Sequence, residues 1–213
     1  MTSAVDRPGQ VPLRDVAEDW PVVSSTEQVQ GPLVTVRNDL VQMPDGDVAP
    51  RQVVQHPGAV AVVALDQAGQ VLLIRQYRHP VGRLLWEVPA GLRDVAGEPL
   101  HDTAARELLE ETGYTAADWH VLTDYYSSPG ISTERIRVFL ARELRLVPEE
   151  ERDYVASHEE AQLMVRWVDL DAAVHRLMVG DLHNGVTAVG ILSAYAARCG
   201  EFAGLRPADA PEN

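Results

Sequence analysis

Three glutamates lie on one face of the clearest predicted helix. Residues 101–114 read HDTAARELLEETGY, and successive helical residues advance by about 100°, so Glu107, Glu110 and Glu111 share one arc. Like charges at this spacing repel one another, and Arg106, four residues before Glu110, offsets only part of that repulsion. A hard divalent cation prefers carboxylate oxygens, water and phosphate oxygens. The residue types therefore predict either a magnesium site or a solvated charged face.

The neighbouring sequence favours the metal site, because the segment Gly91–Tyr114 closely resembles the Nudix box. Its second half matches residue by residue, as Arg106, Glu107, Leu108, Glu110, Glu111, Gly113 and Tyr114. Glu98 stands eight residues before Arg106, as in the box, but six residues rather than five separate it from Gly91. The extra residue falls in the loop ahead of the helix, where an insertion costs little.

The resemblance implies hydrolysis of a pyrophosphate with Mg²⁺, or with Mn²⁺ in its place. As metal ligands it implies Ala90 (through its backbone carbonyl), Glu107, Glu110 and Glu111. Arg106 would orient the glutamates, and Glu98 would act as a helper near the metal ions.

The stretch RQYRHPVGRLLWEVPAG, residues 75–91, resembles the ADP-ribose pyrophosphatase branch of the Nudix hydrolases, of the actinobacterial type. Arginine offers paired donors for phosphate oxygens, and Arg78 is the predicted phosphate ligand, with Arg75 and Arg83 as further candidates. Glu87 stands where the branch places a carboxylate near the substrate. Any one of these arginines, taken alone, would be read as a surface residue.

Pro129, in the segment YYSSPG, also resembles this branch, which carries a proline at about this distance behind the box. The alternative is an ordinary Ser-Pro-Gly turn.

The general base of the family comes from a loop well behind the box, and the matching loop here is 149–162. The span 143–160 carries seven acidic and two basic residues, a density typical of a solvated, mobile loop. His158-Glu159-Glu160 resembles the catalytic loop of the branch. Glu160 is the predicted base and Glu159 the alternative.

The N-terminal segment predicts a second copy of this chain as a partner. Family members with such an extension are commonly homodimers that exchange it and build the adenosine pocket across the interface. Arg37, Arg51 and Gln52 are then predicted to contact the substrate.

Composition narrows the classes of function. The formal net charge of −14 over 213 residues, with no basic stripe, argues against nucleic-acid binding. The longest apolar stretch, near residues 59–65, is too short to span a bilayer, and the first ten residues lack the apolar core of a secretory signal. One cysteine excludes an intramolecular disulfide, and we expect a cytoplasmic protein.

The pattern of elements predicts an α/β fold, a mixed sheet covered by helices, which agrees with the α/β/α sandwich that the resemblance implies. Strands are predicted at 33–43, 51–56, 58–66, 71–77, 84–92, 119–126, 135–142 and 163–168. Helices are predicted at 102–112, with Asp102 or Thr103 as its cap, and near 169–179 and 186–199. We divide the chain into an N-terminal β segment at 1–55, a hydrolase domain at 56–205 and a flexible tail at 206–213.

Three other functions stay open at this stage. The nearest is hydrolysis of another nucleoside diphosphate sugar, such as GDP-mannose, by a similar site. A dNTP-cleaving enzyme is disfavoured by the N-terminal extension and Pro129. A non-catalytic module that senses ADP-ribose is disfavoured because the box glutamates are intact and no DNA-binding helix-turn-helix is evident.

Overall fold

The computed structural model describes residues 13–152 and 163–212, which form a mixed α/β fold. The strands are β1 (Val22–Gln30), β2 (Thr35–Gln42), β3 (Val48–Gln55), β4 (Ala59–Ala64), β5 (Gln70–Arg78), β6 (Arg83–Glu87), β7 (Ala90–Leu92), β8 (Tyr114–Tyr126), β9 (Arg135–Leu146), β10 (Met164–Asp169) and β11 (Arg206–Pro207). The α-helices within the described ranges are α1 (Leu100–Thr112), α2 (Leu170–Met178) and α3 (Gly185–Cys199).

The strands form three sheets. β1, β2 and β3 make an antiparallel N-terminal sheet, and β10, β5 and β6 make a second antiparallel sheet. The central sheet has the order β11-β8-β9-β4-β7, in which β4 and β9 run parallel while the other neighbours are antiparallel. The predicted mixed sheet is therefore confirmed, and so is the separate small sheet at the N-terminus.

Strand β4 is buried on both faces, as its continuous apolar run predicts. Val60 and Val62 pack towards α1, together with Leu72 and Phe139. The alternate residues, such as Val63, pack on the opposite face against α2 and α3. Side chains alternate along a strand, so one strand supplies both cores of a layered α/β/α arrangement.

Helix α1 begins two residues before its predicted start. Its N-cap is Pro99, and neither Asp102 nor Thr103 caps it with a side chain. The Thr103 hydroxyl instead donates to Oε2 of Glu98 at 2.8 Å and to the Pro99 carbonyl at 3.3 Å. Proline fixes φ near the helical value and needs no N–H partner, which allows the turn to begin there. The predicted stop at Gly113 is confirmed, with φ of 75°.

The segment behind residue 205 makes contacts that its composition does not predict. Arg206–Pro207 pairs with β8. The buried Arg137 of β9 donates to the carbonyls of Ala210 and Pro211 (2.6 and 3.1 Å) and binds Asp124 through both carboxylate oxygens (2.7 and 3.0 Å).

None of the helices in the described part of the chain is long and apolar enough to cross a membrane.

Candidate active site

Helix α1 divides its side chains between the core and an acidic surface, as its sequence predicts. Ala104 and Leu108 are fully buried against the central sheet. Glu107, Glu110 and Glu111 are half-buried on the other side. Burial of the apolar stripe therefore fixes the direction in which the glutamates point.

The short strand β7 crosses this acidic face at close range. The backbone N–H of Ala90 donates to Oε2 of Glu111 at 2.9 Å. A Cβ built on Gly91 would lie 2.0 Å from Cδ and 2.2 Å from Oε1 of Glu107. The Glu107 carboxylate can therefore lie where it does only because residue 91 has no side chain.

Contacts from two other elements, α3 and β4, hold the crossing segment. The backbone N–H of Val88 donates to Oγ1 of Thr187, the buried threonine in the first turn of α3, at 3.0 Å. The carbonyl of Pro89 accepts from the N–H of Val62 at 2.8 Å, and Ala90 pairs with Ala61 of β4. Sequence reasoning missed Thr187, because its partner lies 99 residues away.

Arg106 joins the carboxylates of the box. Its guanidinium lies 2.7 Å from Glu107, 3.3 Å from Glu110 and 3.2 Å from Glu98. Asp94, which the sequence did not single out, is 3.7 Å away. Hydrogen bonds from Arg106, and then from Thr103, hold the pKa of Glu98 below its usual value. The hydrogen bond to Glu98 and the charges of Glu107 and Glu110 raise the pKa of Arg106. Arg106 therefore contacts the carboxylates that the resemblance expects it to orient, and the orienting role itself stays a prediction.

The surroundings of Glu107 disfavour its charged form. Burial raises the pKa of Glu107 above its usual value, and the nearby charges of Glu110 and Asp94 add to the shift although Arg106 opposes it. A buried carboxylate with a raised pKa favours an added cation nearby.

The donors at this crossing suit a hard divalent cation. They are the carboxylate oxygens of Glu107, Glu110 and Glu111 next to the backbone of Ala90, and oxygen donors are what Mg²⁺ and Mn²⁺ prefer. Among the described residues, no three His, Cys, Asp or Glu side chains already converge as a metal cluster. Arg106 lies among these carboxylates and pairs with Glu107 and Glu110.

Arg78 and Glu87 form a second charged feature, on the β5–β6 hairpin. Nε and Nη2 of Arg78 both donate to the carboxylate of Glu87, at 2.6 to 3.2 Å. Glu87 is 2% exposed, whereas the Arg78 side chain is 43% exposed. Such a two-point pair fixes the plane of the Arg78 guanidinium. Glu87 stands three residues ahead of Ala90.

Arg75 does not share this position. Residues three apart on a strand point to opposite faces, and Arg75 lies over the ring of Trp86, 5.8 Å from its centroid. Trp86 packs with the α2–α3 core rather than with the α1 core. The structure thus separates Arg75 from the Arg78–Glu87 pair, whereas Arg83 is the cross-strand partner of Arg78.

The predicted contacts of the N-terminal sheet lie on β2 and β3. Arg37 pairs with Asp39 at 2.9 Å and donates to Gln55 at 3.2 Å. Arg51 donates to the Pro50 carbonyl, and Gln52 is opposite Asn38 in the register. None of these described contacts joins them to the glutamates of α1.

Pro129 is exposed in the loop between β8 and β9. This loop meets the end of β3, where the N–H of Val54 donates to the Ile131 carbonyl at 2.8 Å and the N–H of Thr133 donates to the Val54 carbonyl at 3.0 Å. The loop therefore links the N-terminal sheet to the central sheet.

Glu159 and Glu160 lie outside the described residues. Arg152, which precedes them in the chain, donates to the Val147 carbonyl from Nε and Nη2 at 2.9 and 2.7 Å. The Arg152 guanidinium also covers Gly113, where a Cβ would meet its Cζ at 2.2 Å.

Known proteins resemble both the sequence and the fold. The profile of the NUDIX domain matches residues 55–187. An ADP-ribose pyrophosphatase of Mycobacterium tuberculosis is 46% identical over 191 residues, which cover 90% of either chain. An ADP-ribose pyrophosphatase of Bacillus subtilis is 37% identical over 166 residues, 78% of this chain and 87% of the relative. A solved structure described as an ADP compounds hydrolase superposes with a TM-score of 0.70 at 18% identity, over 88% of this chain and 98% of that one; this last likeness concerns the fold alone.

Proposed function

This chain belongs to the NUDIX family, and we propose that it is a hydrolase that splits the pyrophosphate of ADP-ribose into AMP and ribose 5-phosphate. The observation that carries the substrate assignment is the extent of the likeness to the M. tuberculosis ADP-ribose pyrophosphatase. That likeness covers 90% of the chain, whereas the family profile covers only residues 55–187. It therefore extends beyond the catalytic box and beyond the residues that the family profile matches.

The crossing of β7 over α1 supports the metal assignments. In the proposed site Glu107 and Glu111 hold Mg²⁺ or Mn²⁺ with the Ala90 carbonyl, and Glu110 lies next to them. When bound, such ions neutralise the pyrophosphate and lower the pKa of the attacking water. Arg106 and Glu98 would then keep the glutamates in place as their charges are shared with the metal.

The remaining side chains are assigned to the substrate and to proton transfer. Arg78, held by Glu87, donates to phosphate oxygens as their charge redistributes. Glu160, with Glu159 as the alternative, accepts the proton of the water that attacks the adenosyl phosphate. Arg37, Arg51, Gln52 and the loop of Pro129 would contact the nucleoside.

A homodimer would complete the adenosine pocket through the N-terminal sheet. In support, β1 is exposed along its whole length, and its apolar residues Val22, Val23 and Val29 are 53 to 60% exposed. An exposed apolar edge strand is a surface that proteins usually cover. Light scattering coupled to gel filtration would test this, and a monomer at micromolar concentration would contradict it.

The deciding experiment is hydrolysis of ADP-ribose, GDP-mannose and FAD with Mg²⁺ present, followed by separation of the products. We expect AMP from ADP-ribose to form fastest, and label from isotopically enriched water to enter AMP rather than ribose 5-phosphate. A faster reaction with GDP-mannose would contradict the substrate assignment while leaving the pyrophosphate chemistry in place.

The metal ligands are tested by Glu107→Gln and Glu111→Gln, which remove charge with little change of shape. We expect turnover to fall by several orders of magnitude in either variant. Glu201→Gln, at an exposed position behind α3, is the matched control and should keep the full rate. Near-normal turnover of Glu107→Gln would refute its assignment.

A further inference from the structure

The carboxylate of Glu212 joins two arginines at the edge of the central sheet. Nη1 of Arg93 donates to Oε1 of Glu212 at 3.3 Å, and Nη2 of Arg93 lies 3.3 Å from Oε2. Oε1 of Glu212 also lies 3.5 Å from Nε of Arg135. The contact with Arg93 uses both carboxylate oxygens and both terminal nitrogens, a geometry that fixes orientation as well as distance.

The two arginines lie on either side of β4. Arg93 directly follows β7, Arg135 is the first residue of β9, and both strands pair with β4. Gly58, directly ahead of β4, leaves room between them. A Cβ on Gly58 would lie 2.9 Å from the Arg135 carbonyl oxygen and 3.1 Å from Cδ of Arg93. Glu212 therefore ties the end of β7 to the start of β9 across the start of β4.

Strand β7 has few backbone contacts of its own. It has three residues, it is the last strand in the order of the central sheet, and it pairs with β4 along one side. Behind its last residue, the N–H of Arg93 donates to the Gly58 carbonyl at 3.2 Å. An edge strand is bonded to the sheet along one side only, so the ion pair of Arg93 with Glu212 supports this end of β7 further.

The loop that begins at Arg93 leads to the acidic face of α1. Asp94 lies 3.7 Å and Glu98 lies 3.2 Å from the Arg106 guanidinium. Arg106 in turn lies 2.7 Å from Glu107. A shift of Arg93 would therefore reach the box glutamates by two routes, through the acidic residues of this loop and through β7 itself.

We propose that Glu212 is a positioning residue for the candidate metal site and acts through Arg93. This inference rests on the proposed function, because it takes the glutamates of α1 as ligands of a divalent cation. Loss of a residue that orients a metal ligand typically weakens metal binding about 10- to 100-fold. Glu212 lies further from the ligands than such a residue, so we expect a smaller loss, of about threefold to tenfold.

Titration of the metal-free chain with Mn²⁺, followed by the electron paramagnetic resonance of free Mn²⁺, measures the affinity independently of turnover. Glu212→Gln should raise the Kd for Mn²⁺ about threefold to tenfold. Before metal is added, the amides of residues 93–99 should exchange hydrogen faster in this variant, because the loop has lost a contact at its start. Asp209→Asn, at an exposed position of the same segment, is the matched control and should change neither quantity.

A double variant tests the route through Arg93. Arg93→Gln should weaken Mn²⁺ binding as Glu212→Gln does, and the two substitutions together should cost no more than the larger single loss, because they remove the same contact. Losses that multiply in the double variant would overturn this route.

The outcome for the wild type separates this inference from the proposed function. If the wild type binds Mn²⁺ and Glu212→Gln binds it equally well, the inference alone is overturned, even where residues 93–99 exchange faster, because Glu212 would then stabilise the loop without positioning the metal ligands. If the wild type binds no Mn²⁺, the metal assignments of the proposed function are overturned together with the inference.

Discussion

Replacement of Gly91 by alanine puts a methyl group where the Glu107 carboxylate now lies. The added Cβ would be 2.0 Å from Cδ of Glu107, whereas ordinary contact begins near 3.4 Å. The carboxylate must therefore move by roughly 1.4 Å. Displacement of a catalytic group by about 1 Å can cost about a hundredfold in rate, so kcat should fall at least that far.

The same substitution should affect folding much less. The displaced atoms are the end of a flexible side chain that is 15% exposed, so Glu107 can turn away without moving the backbone of α1. We expect the free energy of unfolding to fall by about 1 kcal/mol, the lower end of the range for overpacking. Gly185→Ala is the matched control, since nothing lies within 4 Å of its added Cβ, and it should keep both rate and stability.

Steady-state hydrolysis of ADP-ribose over a range of Mg²⁺ concentrations, together with urea unfolding, measures both effects. A double variant with Glu107→Gln makes the test specific. If Gly91 acts through Glu107, the alanine should cost little once the carboxylate is gone, because coupled sites are not additive. A Gly91→Ala enzyme with wild-type kcat, or a double variant whose losses simply multiply, would refute this reasoning.

Three further predictions concern contacts that support the fold and the site. Arg137→Met should lower the free energy of unfolding in urea by about 3–5 kcal/mol, since it removes the buried partner of the half-buried Asp124, whereas Arg176→Met, in an exposed pair, should change it by less than about 1 kcal/mol; equal effects would contradict the burial argument. Burial alone would raise the pKa of Asp124, but hydrogen bonds and charges from two arginines outweigh it and lower the pKa. The ionised Asp124 therefore contributes stability at a pH above its unfolded pKa near 3.8, and this contribution is lost as the pH falls through the lower folded pKa. Asp124→Asn should flatten the decline in Tm below about pH 4. An unchanged slope of Tm against pH would count against this. Thr187→Val removes the acceptor of the Val88 N–H and should cost about 1–3 kcal/mol in urea unfolding together with a loss of kcat, and Thr187→Ser should restore both.

The features that the sequence predicts are those encoded within a few residues. The helical period of α1 correctly predicted that Leu108 is buried and that Glu107 lies on the acidic side of the helix. The apolar run of β4 indicated a strand buried on both faces. Gly113 ended the helix, as its tolerance of positive φ suggests. Spacing in the box also anticipated the ion pair between Arg106 and Glu110.

Contacts between distant segments were beyond such reasoning. Thr187 accepts from Val88, which lies 99 residues earlier in the chain, and Arg137 donates to the carbonyls of Ala210 and Pro211. The residue types at these positions do not indicate their partners. Arg78 was preferred to Arg75 from the sequence, and the alternation along the formed strand β5 places the two side chains on opposite faces. The fully exposed β1 lacks the alternation of buried and exposed residues from which strands are recognised.

The parallel pairing of β4 with β9 has a consequence for how the chain folds. Between the paired residues Ala59 and Ile136 lie β5, β6, β7, α1 and β8, so closing this pair encloses the whole acidic crossing. Long loops must lose their entropy before such a pair gives any stability, and folding rates fall as contacts become less local. The hydrogen bonds of α1 are local, but β7 cannot lie across α1 until β4 is in place, so we expect the acidic crossing to form in the last phase of refolding, after most of the helical signal.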